Sequence, residues 1–89
     1  MDTLSNWWVY ILQCSDGTFY TGISNNLNRR LNSHNAGKGA KYTKMRRPVV
    51  LVYCEEATGR SEASKREYAM KKLTRNQKQT LLKVNDLVG

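Results

Sequence analysis

Trp7-Trp8-Val9-Tyr10-Ile11-Leu12-Gln13-Cys14 (WWVYILQC) is the stretch whose reading decides the architecture. It is aromatic and β-branched, too short for a buried helix, and followed at once by a turn sequence, Ser15-Asp16-Gly17-Thr18. A near-continuous apolar run of this length predicts a strand covered on both faces, hence a central one. Gly17 can take the positive φ of a hairpin turn. Phe19 to Ile23 then returns as a second strand, which places Tyr10 and Tyr20 on neighbouring strands. Whether the two rings share a face depends on the register of the turn, because side chains alternate along a strand.

Beyond this hairpin, Asn25 or Asn26 can cap a helix through Asn35, ended by Gly37. Leu27, Leu31 and His34 fall at i, i+4 and i+7, with Arg30 between them. The segment Ala36 to Arg47 (AGKGAKYTKMRR) has five cations, two glycines and no apolar period, and reads as a mobile basic loop. Pro48 opens a third strand, Val49 to Cys54 (VVLVYC), at a position where proline is tolerated. A second helix starts at Thr58 or Ser61 and runs to Leu73, and Thr74 caps a third running to Val84. The expected fold is α+β in the order ββαβαα: a small three-stranded antiparallel sheet flanked by three helices. One domain over residues 1–89, with its core at about 7–84, suits a chain of 89 residues.

Fifteen Lys and Arg against seven Asp and Glu give a net charge of +8. The cations cluster between Arg29 and Arg47, a stretch with no acid, and again between Arg60 and Lys83, where the acids are Glu62 and Glu67. Such a field favours polyanions, nucleic acid above all; a solvated basic surface is the plainer alternative. No stretch approaches the ~20 apolar residues of a membrane span. Met1 to Asn6 shows no cationic region followed by an apolar one, so no secretion signal is expected. Cys14 and Cys54 lack metal-ligand spacing and read as two buried, reduced thiols of a cytoplasmic protein.

Glu67 shares an i, i+4, i+7 stripe with Ala63, Met70 and Leu73 or Thr74. An acid there is expensive to bury unless it binds a cation or a strong donor; the plainer reading pairs it with Arg66 or Lys71 at the stripe's edge. Arg30 and His34 are one helical turn apart. A guanidinium offers a fixed fork of donors to a phosphate, and His34, the lone histidine, can move or orient a proton. A phenol acts as a general base only if its proton is removed or its pKa is lowered from about 10. The other acids, Asp2, Asp16, Asp86, Glu55, Glu56 and Glu62, are scattered, so no convergent group for a two-metal site is visible. One ion on one acid, with waters and substrate, is the economical alternative, and Mg²⁺ suits it.

Val9-Tyr10, Tyr20-Thr21-Gly22, Leu27 with Arg30 and His34, and then Glu67 together resemble the GIY-YIG nuclease domain, in its short bacterial form. The run Lys38 to Thr43, then Arg46-Arg47-Pro48-Val49, and Lys71-Lys72-Leu73 after the acid, look like the same subgroup. The similarity covers about residues 7 to 83. It differs at the first motif glycine, where Trp8 stands, and at two motif isoleucines, here Val9 and Thr21. The resemblance implies an endonuclease hydrolysing phosphodiester bonds, with structured or damaged DNA as a substrate and DNA preferred over RNA. It implies one divalent cation, Mg²⁺ or Mn²⁺, held by Glu67, and catalytic roles for Tyr10, Tyr20, Arg30, His34 and Glu67. Gly22 takes the motif glycine, where a side chain would crowd the sheet. Asn76 is a candidate for an asparagine that larger members carry after the acid. Arg29, Lys38, Lys41, Lys44, Arg46, Arg47, Lys71 and Lys72 are candidate contacts to a nucleic-acid backbone. A monomer or weak homodimer is expected, and a module that binds nucleic acid without cutting it, or a subunit that a partner activates, is the alternative.

Overall fold

The computed structural model describes residues 6–88; the reading of Met1 to Asn6 lies, apart from Asn6, outside them. Strand β1 (Trp7–Gln13) is the centre of a three-stranded antiparallel sheet of order β2-β1-β3. Val9, Tyr10, Ile11 and Leu12 are all buried in succession, as a strand covered on both faces requires. The hairpin closes through Cys14 N–H to Thr18 O (2.8 Å) and Gly17 N–H to Cys14 O (2.9 Å), with Gly17 at φ +86°. Asp16 Oδ1 accepts from the Thr18 amide and hydroxyl, which stiffens the turn.

Strand β2 (Phe19–Ser24) pairs with β1 so that Tyr10 lies opposite Gly22 and Leu12 opposite Tyr20. Opposed residues share a face, so Tyr10, Leu12, Tyr20 and Gly22 all project to one side. Helix α1 (Leu27–Asn35) covers that side, capped by the Asn26 side chain on Arg29 N–H at 3.1 Å. Tyr10, Leu12, Cys14 and Val49 form its buried core, with Tyr20, Leu27 and Leu31 packed around them.

Between α1 and the third strand the basic segment is not irregular throughout: Lys41–Lys44 forms one helical turn, α2. A four-residue turn has no periodic signature, which is why the sequence reads as loop. Fixed contacts hold it. Thr43 is buried, Ser15 N–H donates to Arg46 O (2.9 Å), and the Asn35 side chain bonds both the N–H and the C=O of Val49.

Strand β3 (Val50–Ala57) starts one residue later than expected and runs past Cys54, because pairing with β1 continues to Trp7 opposite Ala57. Helix α3 (Arg60–Lys71) follows; Glu62 accepts from the amide and hydroxyl of Thr58 at its start. Helix α4 (Arg75–Val88) is capped by Thr74, whose hydroxyl accepts from Gln77 N–H (3.1 Å) while Gln77 Oε1 accepts from Thr74 N–H (2.8 Å). Ala63 and Met70 of α3 pack on Val9, Ile11 and Ala57, with Leu81 of α4 against them. The sheet therefore separates α1 on one face from α3 and α4 on the other.

Candidate active site

Local rules place each site residue. Tyr10 stands at the middle of the central strand and is 2% exposed. Its ring fits because position 22 has no side chain: a Cβ there would lie 2.5 Å from Tyr10 Oη and 2.7 Å from Cζ. His34, in the last turn of α1, is buried over the same face. Tyr10 Oη lies 3.0 Å from His34 Nε2, and Thr43 Oγ1 lies 2.8 Å from His34 Nδ1. The half-buried Tyr20 meets the imidazole edge-on, with ring centroids 5.2 Å apart, and Tyr42 stacks on Tyr20 at 6.1 Å. Two phenols and an imidazole thus converge on one face.

Burial raises the Tyr10 pKa to about 12; the neighbouring Tyr20 and Glu67 push the same way, and the Arg30 guanidinium beside the hydroxyl opposes them. Burial, seconded by Arg30, lowers His34 below its ordinary 6.5 and keeps the imidazole neutral near pH 7. Arg30 itself is exposed. It lines a small crevice with Tyr10, Leu12 and Leu31 and also an open depression of about 440 Å³ with Ser24, Asn26, Arg29 and Ser33. A guanidinium in that position links the buried phenol to a surface wide enough for a phosphate.

Glu67 behaves differently. It rises from α3, on the far face of the sheet, and no hydrogen bond joins it to either phenol among the described residues. Its carboxylate, 23% exposed, pairs with Lys71 Nζ at 3.2 Å, which matches the plainer of the two readings of this acid. Its charge still reaches Tyr10. The faces meet around the β2 edge, where Tyr20, Thr21, Tyr42, Lys71 and Lys78 line one depression of about 250 Å³. No group of three or more His, Cys, Asp or Glu side chains suited to a metal occurs among the described residues. The donor set is therefore one carboxylate, which fits a hydrated ion completed by water and phosphate oxygens. Lys71 pairs with Oε2, so an ion would be held through Oε1 or in place of the lysine.

The basic residues divide into two groups. Arg29, Lys38, Lys41, Lys44, Lys71 and Lys72 are exposed. Arg46 is engaged by the protein itself: Nε donates to Asp16 Oδ2 (3.1 Å), a terminal nitrogen donates to Tyr42 O (2.8 Å), and the guanidinium covers the Tyr42 ring at 4.0 Å. Arg47 donates to Lys44 O (2.9 Å) and Asn35 O (3.3 Å). Lys72 Nζ lies over the Tyr68 ring at 4.2 Å. Asn76 is exposed at the start of α4, where its carbonyl accepts from Thr80 Oγ1. Both cysteines are free; Cys14 is buried and Cys54 only half-buried.

Two residues at the site escaped sequence reasoning. Thr43 is the only β-branched residue in the basic run Ala36 to Arg47, and Gly39 reads as a loop glycine, yet a Cβ on Gly39 would fall on the His34 ring.

The model of one family, described as the GIY-YIG catalytic domain, matches residues 6–80. A UPF0213 protein of Desulfotalea psychrophila is 58% identical over 81 residues, covering 90% of this chain and 74% of its own. A UPF0213 protein of Staphylococcus epidermidis is 60% identical over 70 residues, covering 79% and 85%. Among solved structures, an E. faecalis protein is similar at TM-score 0.63 and 45% identity, covering 98% of this chain and 93% of that one. A UPF0213 protein of Bacillus halodurans is similar at TM-score 0.57 and 43% identity, covering 89% and 84%.

Proposed function

The chain belongs to the GIY-YIG family, a family of nucleases, and on that premise we propose that it is an endonuclease hydrolysing phosphodiester bonds in DNA. The observation that carries the reading is the contact between Tyr10 Oη and His34 Nε2 beside Arg30, because it gives a phenol a proton outlet next to a cation. A phenol with a pKa of about 12 holds almost no phenolate at neutral pH. A relay avoids that cost: as Tyr10 Oη takes a proton from the attacking water, it passes its own to the neutral His34. Tyr20, the more exposed phenol, orients the phosphate, and Arg30 stabilises the charge that grows on it. The water oxygen bonds to phosphorus, the bond to the leaving ester oxygen breaks, and that oxygen takes a proton from solvent.

GIY-YIG nucleases generally use a divalent metal ion. Here Glu67 would hold Mg²⁺ or Mn²⁺, which supplies Lewis-acid neutralisation of phosphate charge. Arg29, Lys38, Lys41 and Lys44 on the α1 side, with Lys71 and Lys72 on α3, contact the sugar-phosphate backbone without reading sequence. The protein acts in the cytoplasm as a monomer or weak pair.

A second reading is supported by the Glu67–Lys71 pair and the high Tyr10 pKa: a module that binds without cutting until a partner rearranges Glu67. Incubation of plasmid and branched DNA with Mg²⁺ or Mn²⁺ separates the two. Cleavage that disappears in Glu67→Ala supports the nuclease; binding with no product under any metal supports the module.

A further inference from the structure

We propose that Thr43 is a positioning residue that fixes which nitrogen of His34 carries the proton, and so makes Nε2 the acceptor for Tyr10. The proposal deepens the nuclease reading and rests on it for its catalytic consequence, though not for the tautomer itself.

The proton directions follow from counting donors. Thr43 Oγ1 lies 3.1 Å from Ala40 O, a backbone carbonyl that can only accept. That carbonyl already accepts from Lys44 N–H (3.0 Å), and in the assigned arrangement its second lone pair takes the hydroxyl's single proton. At its second contact, 2.8 Å from His34 Nδ1, Thr43 must therefore accept, so Nδ1 carries hydrogen. A neutral imidazole has one N–H, which leaves Nε2 bare. Tyr10 Oη, 3.0 Å away, must then donate to it. The chain runs one way: Tyr10 to His34 to Thr43 to Ala40 O.

Three further observations make this arrangement stable. Tyr10, His34 and Thr43 are 2%, 1% and 0% exposed, so the His34 and Thr43 contacts are shielded from solvent, and water can approach the chain only at the Tyr10 hydroxyl beside Arg30. The imidazole packs on the Gly39 backbone, where any side chain would collide with it. Thr43 is carried on α2, itself fastened through Arg46 and Arg47 to Asp16, Tyr42, Lys44 and Asn35. The basic segment thus has a second task besides carrying charge: it brings one hydroxyl under the histidine of α1. A carboxylate or carbonyl commonly orients a catalytic histidine; here a threonine that is itself oriented by a carbonyl takes that place.

The chain has one histidine, so the tautomer can be read without assignment. Nitrogen NMR on protein labelled with ¹⁵N-histidine distinguishes Nδ1–H from Nε2–H through the two-bond couplings to the ring protons. The wild type should show Nδ1–H. Thr43→Val removes the acceptor at nearly constant volume and should shift the population toward Nε2–H, with cleavage lowered about 10–100-fold, by analogy with loss of a partner that orients a metal-bound histidine. Thr43→Ser should restore both. Backbone NMR spectra of each variant report folding separately. Nε2–H in the wild type, or an unchanged tautomer in a folded Thr43→Val protein, overturns the proposal. If the tautomers behave as stated but no variant or wild type cuts DNA, the positioning role stands and the nuclease reading is the part that fails.

Discussion

Tyr10 on β1 lies directly opposite Gly22 on β2, and its ring occupies the space that a side chain at 22 would fill; a Cβ there would sit 2.5 Å from the phenolic oxygen. The glycine is required by close approach rather than by backbone angle, since only Gly17 and Gly37 have a left-handed φ among the described residues. Gly22→Ala must push Tyr10 away from His34 or bend the sheet. We expect a loss of about 1–3 kcal/mol, the range for overpacking a filled site, together with loss of any cleavage. Urea unfolding measures the first; a variant as stable as wild type would show that Tyr10 moves freely and that its contact with His34 is not enforced.

Thr21 lies opposite Ile11, and its hydroxyl is buried without a hydrogen-bond partner among the described residues. A buried unsatisfied donor costs about 1–3 kcal/mol. Thr21→Val keeps the shape and removes the hydroxyl, so the protein should gain about 1 kcal/mol, seen as a higher Tm. A lower Tm would mean that the hydroxyl has found a partner, such as a bound water.

Burial and Arg30 depress the His34 pKa below 6.5. Since the unfolded chain then binds the proton more tightly, stability attributable to this group is complete above about 6.5 and is lost as pH falls through the lower folded value. The proton relay has the same sign: neutral His34 accepts and protonated His34 cannot. Cleavage should therefore be flat near neutrality and fall on the acid side, with a midpoint below 6.5 that disappears in His34→Gln. A midpoint above that value would place the titrating group elsewhere.

The hairpin, the central strand and both end caps were legible because their signals are local. An apolar run broken only by Gln13, a Ser-Asp-Gly-Thr turn, Asn25-Asn26 before a helical period and Thr74 three residues before Gln77 each act within a few positions. The shared face of Tyr10 and Tyr20 was not legible, since a one-residue change of register would have separated them. Thr43 and Gly39 were hidden for a related reason. Their importance arises from His34, nine and five residues away across a turn, and a four-residue helix announces itself by no period. Glu67 was readable as an acid on an apolar stripe. Its pairing with Lys71 is equally local, so sequence offered both outcomes, and the ion pair at 3.2 Å shows the one that the side chain adopts without a bound ion.

Arg30 is exposed, lines the depression beside Ser24 and Asn26, and reaches the Tyr10 hydroxyl. Its guanidinium lies beside the buried Tyr10 hydroxyl, but the residue itself is exposed, so Arg30→Ala should fold normally while cleavage falls by about 2.7–4 kcal/mol of transition-state stabilisation, as for a lost oxyanion donor. Single-turnover kinetics at saturating DNA separates this from weakened binding. A variant that fails to fold would make Arg30 structural.

The two groups of cations should respond differently to substitution. Lys41 and Lys44 are exposed on α2, free to meet phosphates, whereas Arg46 is tied to Asp16 and Tyr42. Each phosphate contact adds about 0.9 to the slope of log binding constant against log salt. Replacing Lys41 and Lys44 with Gln should thus lower the slope by up to about 1.8 while Tm stays constant, because neither side chain carries the fold. Arg46→Gln should do the reverse, reducing Tm through the lost clamp on α2 and changing the slope little. Fluorescence anisotropy of a labelled duplex across a salt series gives the slopes. An unaltered slope in the double lysine variant would remove α2 from the binding surface and leave Thr43 as the reason the segment is ordered.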